Sequence, residues 1–132
     1  MEGGFNPNNS KIGRKALCEF IDQEITGDLR SVPGIGPAGI KTLKECSDHI
    51  ENTYQLIGKF LMLKKSDMTE QEHCDAMWKW LKSIGINSHR SGVIRALGLK
   101  MCVSYPHLFS DSIFQTDDAN AEEATEDAIL LK

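Results

Sequence analysis

Apolar residues recur three or four positions apart through most of this chain, and that spacing constrains its fold more than any other feature. Because one helical turn takes 3.6 residues, such spacing places the apolar side chains on one face of a helix. No segment alternates apolar and polar residues as a half-buried strand does. The sequence therefore predicts an all-α fold, a compact bundle of about five helices over 10–23, 37–48, 53–65, 69–84 and 87–104.

Several of the expected helix ends carry capping residues. Thr69 and Glu72 have the spacing of a capping box, in which each side chain accepts a hydrogen bond from the other residue's backbone N–H. Ser10 is the expected cap of the first helix, and either Asn87 or Ser88 is the expected cap of the last.

The 132 residues suggest one domain between two flanking segments of different composition. Residues 1–9 are rich in Gly and Asn and are expected to be disordered, and residues 10–109 form the helical domain. Residues 110–132 carry seven acidic groups and one Lys, a net charge of −6, and are expected to form a flexible tail. Residues 1–109 hold 14 basic and 12 acidic groups, a net charge of +2. This balance is compatible with phosphate binding but indicates it only together with a motif.

The cysteines do not form a recognisable metal or redox motif, because no CxxC pair occurs. The chain also lacks an N-terminal apolar run typical of a signal peptide and an 18-residue apolar stretch. We therefore expect reduced, buried cysteines in an intracellular protein without membrane insertion. A zinc site from Cys46, His49, His73 and Cys74 has irregular ligand spacing, so neither a metal nor another cofactor is expected.

The most informative segment is 29–43, LRSVPGIGPAGIKTL, which matches the helix-hairpin-helix pattern of two glycines followed by an amphipathic helix. Gly34 and Gly36 allow a tight turn, and Ile35 between them is expected to point inward. The turn leads into a helix N-terminus, whose first N–H groups lack intrahelical partners and attract anions. The amides of Gly36, Ala38 and Gly39 are the candidate phosphate donors, and Lys41 adds charge one turn later. The alternative is a structural turn without a ligand.

A weaker version of the same arrangement follows Gly85. Asn87 or Ser88 opens the last helix there, and His89 and Arg90 place basic groups in its first turn. A cation at a helix N-terminus opposes the helix dipole, which is understandable if a phosphate binds there. An ordinary cap with exposed His and Arg is the alternative.

The segment 53–65 has more apolar residues than one helix face can bury. Gly58 among them would allow close approach of another chain. We therefore expect a partner surface, most simply a two-fold dimer, unless 66–76 or 129–131 covers it. The residues expected to form this partner surface are Tyr54, Leu56, Ile57, Gly58, Phe60 and Leu61.

The chain resembles the barrier-to-autointegration factor family over about residues 15–105. Three segments carry this resemblance and occur in the order of the family: the hairpin, then TYQLIGKFLMLKK, then WLKSIGINSHRS. That resemblance implies a SAM-like helical homodimer that binds and bridges double-stranded DNA without sequence preference. It also implies a chromatin and nuclear-envelope location, with some cytoplasmic protein, and LEM-domain proteins and lamins as partners. By position it places phosphate contacts at Gly34, Gly36, Ala38, Gly39, Asn87, Ser88 and His89, with an N-terminal basic contact at Arg14 or Lys15.

This sequence departs from the family pattern at three places. His89 stands where the family has Lys, several residues are inserted between Lys65 and Trp78, and the acidic tail after Phe109 is additional. The histidine makes the contact at position 89 either weaker or pH-dependent. The departures together leave DNA binding better supported than LEM-domain or lamin binding.

The leading hypothesis is a non-enzymatic DNA-bridging protein. The main alternative is a helix-hairpin-helix module of a DNA repair or recombination complex. A glycosylase or nuclease would need a catalytic carboxylate, whereas Asp48, Asp67 and Asp75 are interpreted as surface residues. A protein-binding SAM-type domain without DNA activity is a further alternative.

Overall fold

The computed structural model describes residues 3–106 and 111–115. These residues form five α-helices and three short 3-10 turns, and they contain no strand, so the all-α prediction is confirmed. The helices are α1 (Arg14–Asp22), α2 (Pro37–Glu45), α3 (Thr53–Met62), α4 (Glu70–Ser83) and α5 (Arg90–Ser104). The 3-10 turns cover Pro7–Asn9, Leu29–Ser31 and Ser112–Phe114.

Helix α5 is the central element of the bundle. It packs against α1, α4 and the two terminal 3-10 turns. Its apolar residues at helical spacing are buried in the core, and they include Val93, Ile94, Leu97 and Met101. The burial of such apolar side chains is the main stabilising contribution to the folding of a small helical domain.

Lys100 joins α5 to the end of α1. Its ammonium group is buried and donates hydrogen bonds to the carbonyl oxygens of Phe20 (2.9 Å), Ile21 (2.8 Å) and Gln23. These carbonyls lie at the C-terminal end of α1, where the helix dipole favours a positive charge. Burial lowers the pKa of Lys100.

The segment 3–9 is packed against the helices, although its composition predicted disorder. Phe5 is buried in the core, its backbone N–H donates to Asp75 (2.8 Å), and the N–H of Asn6 donates to the Ser91 hydroxyl (3.1 Å). The sequence could not reveal this because the partners lie in α4 and α5, far along the chain. One aromatic residue among polar ones was the only local signal.

The helix starts agree with the sequence for α4 and differ for α1 and α5. Thr69 and Glu72 form the predicted capping box of α4. Helix α1 begins only at Arg14, because Ser10 is buried and its hydroxyl accepts from the N–H of Ile12 (3.3 Å). Helix α5 begins after His89, so neither Asn87 nor Ser88 occupies the capping position.

Helix α3 uses most of its apolar residues within the bundle, where Leu61 packs against the core from a partly buried position. Leu56, Ile57 and Phe60 lie in the core, so these three are not part of a partner surface. Tyr54 and Met62 remain 59% and 70% exposed on the outer side of the helix. The predicted surface is therefore narrower than the sequence suggested.

The four cysteines are free thiols. Cys74 is buried, and burial raises its pKa to about 12. His73 is also buried, hydrogen bonds to the Phe60 carbonyl (2.6 Å), and has its pKa lowered by burial. Among residues 3–106 and 111–115, no cluster of His, Cys, Asp or Glu has the arrangement of a metal site. Within the same residues, no helix is long and apolar enough to cross a membrane.

Candidate anion-binding groove

Three separated segments meet at one concave surface, which we call the groove. It has a volume of about 580 Å³ and is formed by residues from 11–16, 33–42 and 85–89. The first segment leads into α1, the second is the glycine turn with the start of α2, and the third leads into α5. The two phosphate-binding turns predicted from the sequence therefore face the same space.

Gly34 is the position at which the three segments touch. Its φ of +93° is in the left-handed region, which L side chains rarely adopt. A Cβ atom there would lie 3.0 Å from Val93 Cγ2, 3.1 Å from Ile12 Cδ1 and 3.3 Å from His89 Cβ. Only glycine meets both requirements, so Gly34 holds the shape of the groove.

Three helices start at the groove, and none of them has a side-chain cap. The N-caps are Gly13 for α1, Gly36 for α2 and His89 for α5. Elsewhere in the described bundle, Asn52 accepts from the backbone of α3 (2.9 Å) and Thr69 from that of α4 (3.1 Å). Capping side chains are thus used away from the groove. At the start of α2, Gly36, Ala38 and Gly39 line the groove, so their N–H groups are open to an external acceptor, whereas Ser91 and Gly92 at the start of α5 are buried.

The glycines at two of these N-caps are not required by the protein itself. Gly36 has φ −101° and Gly13 has φ −66°, both accessible to any L residue. A Cβ at either position would meet no atom within 4 Å. Serine or aspartate would normally stabilise such a helix start. The absence of a side chain leaves these amides open to a ligand that approaches the backbone closely.

The charges around the groove suit an anion. The chain has 19 acidic residues, yet no Asp or Glu is among the residues described as lining the groove. Lys11 and His89 supply positive or titratable groups, and Thr42, Asn87 and Ser88 supply short polar side chains. A carboxylate would compete with a bound phosphate for the amide donors, so its exclusion favours anion binding.

Most of the predicted site residues lie at the groove, but several basic ones do not line it. The lining includes Gly34, Ile35, Gly36, Ala38, Gly39, Asn87, Ser88 and His89. Ile35 is buried as expected, and it forms part of the groove floor. Lys15 is exposed on the first turn of α1 and Lys41 on the second turn of α2, both next to lining residues, and Arg14 is half-buried beside Gly13.

Arg90 differs most from its predicted role. Its guanidinium carbon lies 4.2 Å from the centre of the Trp78 ring, and Nη1 donates to the Ile86 carbonyl (2.8 Å). The side chain therefore stacks on α4 and stabilises the loop before α5, and it does not line the groove. The sequence shows only that Arg90 follows His89 directly, and this does not reveal that its side chain turns towards Trp78.

The acidic residues considered for catalysis are also placed elsewhere. Asp48 forms an ion pair with Lys59 (2.8 Å), and Asp75 accepts the hydrogen bond from Phe5. Neither residue lines the groove.

The sequence interpretation missed Lys11, Gly13 and Thr42, which also line the groove. Gly13 could have been found, because a glycine directly before Arg14 and Lys15 is a possible helix start. Lys11 could not, because it belongs to a segment whose position depends on contacts with α4 and α5.

A scan against protein-family models and searches among curated proteins and solved structures found no match to this chain.

Proposed function

We propose that this protein binds double-stranded DNA through backbone phosphates held in the groove, without sequence preference and without catalysis. This is the role implied by the resemblance of the hairpin, α3 and the 84–91 segment to the barrier-to-autointegration factor family. The first amides of α2, together with those at the start of α1, supply the donors, and the dipoles of the helices that start at the groove supply a favourable potential.

The observation that carries the proposal is the distribution of helix caps. All three helices that start at the groove lack a side-chain cap, whereas α3 and α4, which start elsewhere, have one. Nothing in the helices themselves explains why the capping side chains are missing only at the groove. A phosphate ligand does, since it would take the place of the missing side-chain acceptors.

The groove also explains the expected lack of sequence preference. Base edges are read by side chains that enter the DNA grooves, most often by long ones such as Arg and Gln. Here the lining consists mainly of glycines, small apolar residues and short polar side chains. Backbone amides recognise phosphates, which are the same for every sequence.

The first test measures duplex affinity against salt concentration. We expect similar dissociation constants for duplexes of unrelated sequence, with log K falling linearly with log salt at a slope equivalent to about 2–4 phosphates per subunit. The slope is expected to be shallow because few cations line the groove. Fluorescence anisotropy over a range of NaCl concentrations provides this measurement.

Either of two results would count against DNA binding through phosphates. One is binding confined to a single preferred sequence, and the other is a slope near zero. An absence of any duplex binding would instead favour the protein-binding SAM-type domain.

Bridging of two duplexes requires a second binding site, and we propose a two-fold dimer through the outer side of α3. That side carries the exposed Tyr54 and Met62, and a shallow hollow beside them is lined by Asp48, Gln55 and Gly58, among others. A Cβ at Gly58 would meet no atom within 4 Å, so the glycine leaves room for a partner rather than for a neighbour in the same chain.

Gly58→Glu is expected to produce monomers and to end DNA bridging, because it places a charge in the proposed interface. Ser104→Glu, which adds the same charge at the exposed end of α5, is the matched control and should remain dimeric. Light scattering gives the mass, and co-sedimentation of two labelled duplexes reports bridging.

A wild-type mass near 14.7 kDa at micromolar concentration would exclude the dimer. Duplex binding by such a monomer would favour a module of a repair or recombination complex.

A further inference from the structure

Lys11 has an unusual position among the lysines of this protein. It is among the residues that line the groove, and within the described residues its side chain forms no ion pair or hydrogen bond. It lies outside the three segments that resemble a known family and outside both glycine turns. No motif in the sequence marks it.

The segment that carries Lys11 is held on the bundle from both sides. On the N-terminal side, the Phe5 carbonyl accepts from the Gln71 side chain (2.9 Å), in addition to the bonds of Phe5 and Asn6 described above. On the C-terminal side, Ile12 packs against Gly34 and Gly92. Lys11 therefore sits between two fixed anchor points.

The contact with Gly92 shows how close this packing is. A Cβ at Gly92 would overlap the Ser10 carbonyl oxygen and Ile12 Cγ1, so the residues on either side of Lys11 lie directly against α5. Lys11 itself has φ 61°, a left-handed conformation that is uncommon for residues other than glycine. Such conformations persist where the surrounding contacts determine them. The result is a lysine held in a fixed backbone position before α1, among the residues that line the groove.

We infer that Lys11 is a direct phosphate contact, and that the docked N-terminal segment is part of the DNA interface rather than an extension of it. This inference rests on the proposed function of the groove. The segment brings Lys11, the one lysine among the described residues that line the groove, to a ligand held by the amides of α1 and α2. A lysine ammonium suits this role as a compact charge that pairs with phosphate oxygens.

Lys11→Asn tests the inference. Asparagine tolerates the left-handed conformation, so the change removes the charge and leaves the backbone in place. We expect the slope of log K against log salt to decrease by about one and duplex affinity near 50 mM salt to fall about tenfold. Lys11→Arg should retain both the slope and the affinity. Lys79→Asn removes the same charge from an exposed position on α4, away from the groove, and should leave the slope unchanged.

The outcomes separate the two proposals. If the wild-type protein binds duplex DNA and Gly36→Glu abolishes binding, while Lys11→Asn keeps the wild-type slope, the groove binds phosphate without Lys11 and the inference is overturned. An equal decrease for Lys11→Asn and Lys79→Asn would also overturn it, since the effect would then be one of overall charge. If the wild-type protein binds no duplex, both proposals fail.

Discussion

Gly36→Glu is expected to abolish duplex binding, with a loss of at least about 100-fold, or about 2.7 kcal/mol. The new side chain would occupy the space in front of the first amides of α2, and its negative charge would repel a phosphate. The fold should survive, because Gly36 has an ordinary φ of −101° and a Cβ there meets no atom within 4 Å. An acidic residue at a helix N-terminus is even favourable for the helix. Anisotropy measures the binding, and circular dichroism with thermal unfolding checks the fold.

Gly36→Ala serves as the graded control for this change. It adds only the Cβ, and it should weaken binding less than Gly36→Glu while leaving the unfolding temperature within a few degrees of the wild type. A loss below about 1 kcal/mol for Gly36→Glu, in protein that remains folded, would mean that the segment is a structural turn without a ligand.

Phe114→Ala is expected to destabilise the protein by about 3–5 kcal/mol, the usual cost of truncating a buried Phe. The ring is 1% exposed, and it lies 5.7 Å from the ring of Phe5 in an edge-to-face arrangement. It also packs directly on Gly98 of α5, where any Cβ would overlap it. The Phe114 carbonyl accepts from Arg95 Nε at 2.7 Å. For a chain of this length the loss corresponds to a decrease of about 10–20 °C in Tm.

Tyr105→Ala is the matched control, because it truncates an aromatic side chain that is 57% exposed just after α5. Exposed positions of this kind usually change stability by less than about 0.5 kcal/mol. Equal unfolding temperatures for Phe114→Ala and the wild type would show that residues 112–114 do not contribute to the core in solution.

The buried position of Phe114 limits where the acidic tail can be removed without loss of core packing. The sequence assigned residues 110–132 to a flexible tail, but a deletion from residue 110 would remove a core residue. A deletion that begins after Gln115 keeps Phe114 and removes six acidic residues and one Lys, which changes the net charge from −4 to +1. Residues 116–132 lie outside the described part of the chain.

The helices could be predicted from sequence because their signals are local. The apolar spacing in α5 and the capping box of α4 depend on residues within one or two turns of each other, and both are found as expected. The left-handed Gly34 in the turn before α2 follows from the same kind of local pattern. The positions of Phe5, Lys11 and Phe114 were not predictable, because each depends on partners far along the chain.

The sequence by itself determined that the described part of this protein is helical. It also determined where four of the five described helices begin, to within a few residues, and which two glycine turns could face an anion. Only the tertiary structure decided that these turns share one groove, since this depends on Ile12, His89 and Val93 meeting at Gly34. It also decided the direction of side chains whose spacing allowed two roles. Arg90 stacks on Trp78, and Leu56 and Phe60 turn into the core. Helical periodicity shows which residues share a face, but packing between distant segments determines what that face contacts.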